Sequence, residues 1–362
     1  MTSGATSMHT LHHHISANGS MHLRHVMDGA LLRFVTTAKI LVNSLYPNRG
    51  KSFLFNMLAY TTSRRDRFPY RLFWDRFYAR TRSWTMPITT VIHGRPVIIN
   101  FNDCYPIFSR LFPALNNPLI ELVNQAFLAL ARPVRFVDIG AAVGDTVLLI
   151  EANCPRMVSQ YICVEGDVEF FAFLEHNLAS LPNCQRLLYQ LSSGQRQERS
   201  LVRTHGGSAS AQGPRLVTAV PLDDVLASNN VGPVDVLKID VDGFDGEVLA
   251  GAERTLKEQQ PAVIFEWHPK LCQETGNDPF RGFEALRVAG YQRLVWFTKF
   301  GTFSHYGSTH DRDGHIRLQR HCLTTSADEE CYFDVVAIPN RHPINEQDLA
   351  DLNYAGRKRS SY

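Results

Sequence analysis

The chain has 362 residues, 44% hydrophobic and 20% charged, enough apolar material for one large catalytic domain plus a substantial appendage. Nothing in this composition marks disorder, and a formal charge of +2 argues against the strong basic field of a nucleic-acid binder. Seven scattered cysteines with no CxxC pair support neither a disulfide framework nor a zinc ribbon, so a reducing cytoplasm is the expected location.

In chain order, residues 1–19 are polar and His-rich, lack the basic-then-apolar order of a signal peptide, and read as a disordered leader. Residues 20–131 mix helical patterns with one extended stretch, Thr89 to Phe101, broken by the turn-like Gly94-Arg95-Pro96; a mainly helical N-terminal region is expected. Its apolar stretch Leu31 to Leu45 is interrupted by Arg33 and Lys39, and Phe53 to Tyr60 is too short, so no membrane span is expected. Arginines and aromatics crowd together from Arg64 to Trp84, which predicts a helix covering one face of the following domain.

After Arg132-Pro133 the pattern changes to short apolar runs alternating with helical stretches. The runs are Val134 to Ile139, Gln160 to Val164, Arg186 to Leu191, Val234 to Ile239, Ala262 to Phe265, Arg293 to Phe297 and Tyr332 to Ile338. Helical candidates between them include Val168 to Leu181, Gly246 to Glu258 and Phe280 to Ala289. This alternation predicts an α/β domain over 132–340: a doubly wound, mostly parallel seven-stranded sheet whose last two runs pair antiparallel as an edge hairpin. Within it, 299–330 is expected to be a substrate-facing insertion, and 341–362 a C-terminal tail.

Four segments carry chemistry. In Phe136-Val137-Asp138-Ile139-Gly140-Ala141-Ala142-Val143-Gly144-Asp145-Thr146, a buried strand ends in a glycine turn that opens a helix. Gly140 permits a tight turn and close ligand approach. A dinucleotide loop would carry a glycine where Ala142 stands, and Asp138 and Asp145 would repel its pyrophosphate. The same acids suit a ligand with an amino group and a sulfonium, as in S-adenosylmethionine. Glu165, with Gly166 after it, ends the next strand 27 residues beyond Asp138, the register of a carboxylate that takes both ribose hydroxyls. Asp138, Gly140, Ala141, Gly144, Asp145, Glu165 and Gly166 are therefore the expected cofactor residues. The third segment, Leu237 to Ala252, sets Asp240, Asp242 and Asp245 just past a strand end; the fourth ends a strand in Glu266-Trp267-His268.

These blocks, with Val220-Pro221-Leu222-Asp223-Asp224, resemble the FkbM family of methyltransferases over about 200 residues, from Val134 to Pro339. The family's glycine loop DIGANIG reads Asp138-Ile139-Gly140-Ala141-Ala142-Val143-Gly144 here, and its KIDVEGAE block reads Lys238 to Asp245, with Asp242, Phe244 and Asp245 as departures. The resemblance implies a Rossmann-like class I methyltransferase that O-methylates a hydroxyl on a sugar, glycan or secondary metabolite.

An alcohol must lose its proton to accept a methyl group, so a base is needed near the sulfonium; Asp240 is the first candidate and His268 the second. A divalent metal on Asp240, Asp242 and Glu266 is a further option, for which oxygen ligands favour magnesium, although no residue is assigned as a metal ligand. The expected partner is a small-molecule or glycan acceptor, not a nucleic acid. Two other readings stand beside this one: an NAD-dependent Rossmann oxidoreductase, and a non-catalytic binding protein on a methyltransferase scaffold.

Overall fold

The computed structural model describes residues 49–81, 84–194, 197–205, 208–325, 331–340 and 343–352. The leader expected over 1–19 lies outside the described residues.

The N-terminal region supplies α1 (Arg49–Thr61), α2 (Tyr70–Thr81), the hairpin β1 (Pro87–Ile92) and β2 (Arg95–Asn100), α3 (Tyr105–Leu111) and α4 (Asn117–Leu130). The turn read at Gly94 is the hairpin's: His93 and Gly94 both take positive φ there, and β1 pairs antiparallel with β2. Helix α4 is apolar almost all round, and its residues 117–124 are all buried because it lies across β3, β10 and β13 of the main sheet.

From Val134 the chain alternates as its pattern predicts. The elements are β3 (Val134–Ile139), α5 (Asp145–Asn153), β4 (Val158–Glu165), α6 (Val168–Asn177), β5 (Cys184–Leu188), β6 (Gln190–Ser192), β7 (Gln197–His205) and β8 (Ser208–Pro221). They continue with α7 (Leu222–Ser228), β9 (Val236–Ile239), α8 (Asp245–Ala250), β10 (Ala262–Trp267), α9 (Pro269–Thr275) and α10 (Arg281–Val288). The end of the domain holds β11 (Arg293–Thr298), β12 (Phe303–Ser308), α11 (Arg312–Thr324), β13 (Phe333–Ile338) and α12 (Glu346–Asp351).

The main sheet runs β12-β11-β13-β10-β9-β3-β4-β5, with β3, β4, β5, β9 and β10 parallel. Alternate strand residues enter two separate cores: Phe136 and Tyr161 pack with α4 to α6, while Val137 and Ile162 pack with α7, α8 and α10. This is the doubly wound, Rossmann-like class I architecture. The expected sheet needs two corrections. It has eight strands, not seven, and β13 inserts between β10 and β11, so the edge hairpin is β11–β12. Strand β12, Phe-Ser-His-Tyr-Gly-Ser, lacks a continuous apolar run because, as an edge strand, it buries little of either face. It and α11 occupy much of the segment read as an insertion, 299–330. A second small sheet, β6-β8-β7, was not foreseen either.

Candidate functional site

The glycine loop between β3 and α5 is shaped by its neighbours' strand ends. Gly140 has φ +77°, and a Cβ there would overlap the carbonyl oxygen of Asp240. The β3 and β9 ends can approach this closely only without a side chain, and the Asp240 amide donates to the Ile139 carbonyl at 3.0 Å. Glu165 braces the loop from the other side. Its Oε2 accepts from the Ala142 amide at 2.9 Å, and its Oε1 from the Asp167 amide at 2.7 Å. Asp167 in turn caps α6 by accepting from the Glu169 and Phe170 amides. Burial pushes the Glu165 carboxyl up to about 7, against the pull of these backbone donors.

These strand ends enclose a cleft of about 100 Å³, lined by Gly140, Ala142, Glu165, Gly166 and Asp240 among others. Phe170, Tyr189 and Leu191 add apolar wall. The ionisable lining is Glu165, Asp167, Asp240 and Asp242, with no lysine, arginine or histidine among the lining residues. A pyrophosphate would meet only like charge here, whereas a sulfonium with an α-amino group meets its complement. The lining therefore fits S-adenosylmethionine.

Behind the cleft lies a cation. Lys238 is the register partner of Asp138 across β3 and β9, and its Nζ sits 3.2 Å from Asp138 Oδ1 and 3.3 Å from Asp240 Oδ2. Burial alone would weaken the Lys238 cation, but Asp138 and Asp240 outweigh it and hold the ammonium charged. Asp138 is fully buried, and burial lifts its carboxyl while Lys238 opposes the lift. Asp240 reaches solvent, with 49% of its side chain exposed.

The other residues singled out in the sequence lie off the cleft lining. Asp138 and Ala141 are buried beneath the loop. Gly144 starts α5 in the left-handed conformation and packs on Leu178 too tightly for a Cβ. Asp145 is pushed up to about 7, first by burial and then by the charge of Asp103. His268 caps α9, its Nδ1 accepting from the Leu271 amide at 3.3 Å, and its ring stacks on Tyr332 with centroids 4.7 Å apart. An imidazole accepting at Nδ1 carries its neutral-state proton on Nε2. For Glu266 and Asp245, burial and then the charge of Asp240 drive the carboxyls upward. Among the described residues, no three His, Cys, Asp or Glu side chains are placed to hold a metal ion.

Sequence reasoning missed three residues of the N-terminal contact. Asn177, at the end of α6, accepts from the Ile98 amide at 2.8 Å and donates to the carbonyls of Ile98 and Val143, both at 2.9 Å. It thus joins β2 to the glycine loop. Asp103 is buried, which pushes it up to about 6, and the Tyr105 amide donates to its Oδ1 at 2.9 Å. The Tyr105 hydroxyl accepts from Asn116 Nδ2 at 2.9 Å and pairs with His93 Nε2 at 2.7 Å. No local pattern marks these residues, since the Asn177 partners lie 79 and 34 positions away in sequence.

A sheet in which the fifth strand is followed across by the eighth and then the sixth, with a glycine loop after the first and a carboxylate ending the second, has the class I methyltransferase fold. Residues 138–293 match the family profile of the methyltransferase FkbM domain. Similar solved structures include the methyltransferase FkbM from Methylobacillus flagellatus KT, at 17% identity and a TM-score of 0.28 over 37% of this chain. The match spans only 33% of that protein. The O-methyltransferase from Bacillus cereus in complex with SAH is similar at 14% identity and a TM-score of 0.35, over 64% of this chain and 86% of that one. TYW2 from M. jannaschii, in complex with AdoMet, is similar at 10% identity and a TM-score of 0.33, over 69% and 84%. No curated protein sequence matches the chain.

Proposed function

We propose that the chain transfers a methyl group from S-adenosylmethionine to a hydroxyl of a sugar, glycan or secondary metabolite, in the cytoplasm. The observation that carries this reading is the cleft whose ionisable lining is entirely acidic, at the ends of β3, β4 and β9. When bound, S-adenosylmethionine supplies a methyl carbon activated by a sulfonium. Glu165 accepts the ribose hydroxyls, and Gly140 lets the backbone lie against the nucleoside. Asp240, on the opposite lip, would receive the acceptor's hydroxyl proton during methyl transfer, while Lys238 fixes the orientation of the carboxylate. Asp240 is favoured over His268 because it lines the cleft, whereas the ring of His268 accepts a backbone hydrogen bond.

Calorimetry with S-adenosylhomocysteine and with NAD tests the cofactor, and labelled methyl donor with a panel of hydroxyl acceptors tests the reaction. Asp240→Asn should lower turnover by about a hundredfold and leave adenosylhomocysteine affinity nearly unchanged. Binding of NAD without adenosylhomocysteine, or wild-type turnover in the folded Asn variant, defeats the reading.

A further inference from the structure

Helix α1 is already packed on its inner side. Phe55, Leu58 and Ala59 are buried, and Asn56 locks the helix to β1, donating to the Thr89 carbonyl at 3.1 Å and accepting from the Thr90 hydroxyl at 2.7 Å. A soluble helix anchored in this way needs a polar outer face. Instead Phe53, Met57 and Tyr60, spaced i, i+4, i+7, form an outward stripe with exposures of 66%, 37% and 77%. The Trp74 indole donates to the Thr61 hydroxyl at 3.1 Å and holds α2 beside the end of α1. The turn between the helices and the first turn of α2 then present Phe68 at 81% and Leu72 at 61% exposure. Phe68, Tyr60, Phe53 and Leu72 are the four most exposed large apolar side chains among the described residues.

Charge is concentrated in the same place. Residues 49–77 contain seven Lys and Arg against two Asp, a local +5 in a chain of +2, so the remainder of the protein is net acidic. Arg67 flanks Phe68, and Arg76 follows Leu72 by one helical turn on the same face. Protruding aromatic and aliphatic side chains ringed by arginines match a bilayer interface, where apolar groups enter the acyl boundary and cations meet anionic headgroups. Exposed leucine and methionine add nothing to base stacking, which separates this surface from a single-stranded nucleic-acid platform.

We propose that the α1–α2 hairpin docks the protein on an anionic lipid surface. No helix among the described residues is long and apolar enough to cross a membrane. The surface lies outside residues 138–293, and vesicle binding reads it out without reference to methyl transfer.

The experiment is co-sedimentation of the full chain with vesicles of phosphatidylcholine alone and of phosphatidylcholine with phosphatidylserine. Binding should require phosphatidylserine and fall steeply as salt is raised. The double variant Phe68→Asp/Leu72→Asp should bind at least about tenfold more weakly, and so should Arg67→Glu/Arg76→Glu, with circular dichroism spectrum and melting temperature unchanged in both as the test of folding. A wild-type chain that leaves phosphatidylserine vesicles in the supernatant overturns the proposal. So does binding that the aspartates leave intact, a dimer that they dissociate in a chain that ignores vesicles, or retention of RNA oligonucleotides in preference to vesicles.

Discussion

Glu165 answers to two demands at once. In the ligand-free protein its two oxygens hold the amides of Ala142 and Asp167, yet burial leaves the carboxyl at about 7, so near neutrality it is only partly ionised. A folded-state value raised above that of the unfolded chain favours the fold below the unfolded value, and this contribution is lost as pH rises through about 7. On the proposed reading ribose hydroxyls donate to Glu165 and therefore favour the charged carboxylate, which reverses the sign for the complex. Adenosylhomocysteine should accordingly bind more tightly at pH 8 than at pH 6 and release protons on binding, as calorimetry in buffers of different ionisation enthalpy would reveal. Glu165→Gln should flatten the profile, and Glu165→Ala should weaken affinity about tenfold to a hundredfold at pH 8. Asp145, also at about 7, is the competing source of such protons; a profile that survives Glu165→Gln and vanishes in Asp145→Asn would reassign the effect.

At the scale of elements, the β3–β9 pair carries the site because the two strands are in register at Asp138 and Lys238. The lysine neutralises a fully buried carboxylate and steadies the exposed one at Asp240. Lys238→Met removes the cation and leaves Asp138 without its charge partner, which should destabilise the fold by about 3 kcal/mol or more in denaturant titrations. The variant can relieve the strain by protonating Asp138, whose folded-state value then rises further above the unfolded one. Its deficit against wild type should therefore be larger at pH 8 than at pH 5. A deficit that grows toward acid would mean that Asp138 is not the buried charge that Lys238 serves.

For the whole molecule, the N-terminal region and the α/β domain share one core, which runs from Phe55 and Trp74 through α4 to Ile344 and Leu349. Asn177 carries the polar side of this junction, with three hydrogen bonds to β2 and the glycine loop. Asn177→Ala leaves those backbone groups without their side-chain partner, at a cost of about 1–3 kcal/mol. Because Val143 belongs to the loop, the same variant should also bind adenosylhomocysteine more weakly, a change that a purely peripheral junction would not produce. Thermal melts with and without ligand measure both. An unchanged melting temperature would show that the hairpin is held by its apolar contacts alone.

The sequence by itself determined what short-range chemistry encodes. Alternating apolar runs placed β3, β10, β11 and β13 within a residue or two, and Gly140 and Glu165 were legible because a turn without a side chain and an acid at a strand end leave local marks. Strand order was not, since a run of Val and Ile carries no record of its neighbour; only the packed sheet decided that β13 enters between β10 and β11 and that the polar β12 completes the edge. The Lys238 bridge likewise required register between neighbouring parallel strands, which no local pattern records. Tertiary structure also drew Asp103, Tyr105 and Asn177 together, because the burial and long-range hydrogen bonds that define their roles exist only after segments far apart in sequence have met.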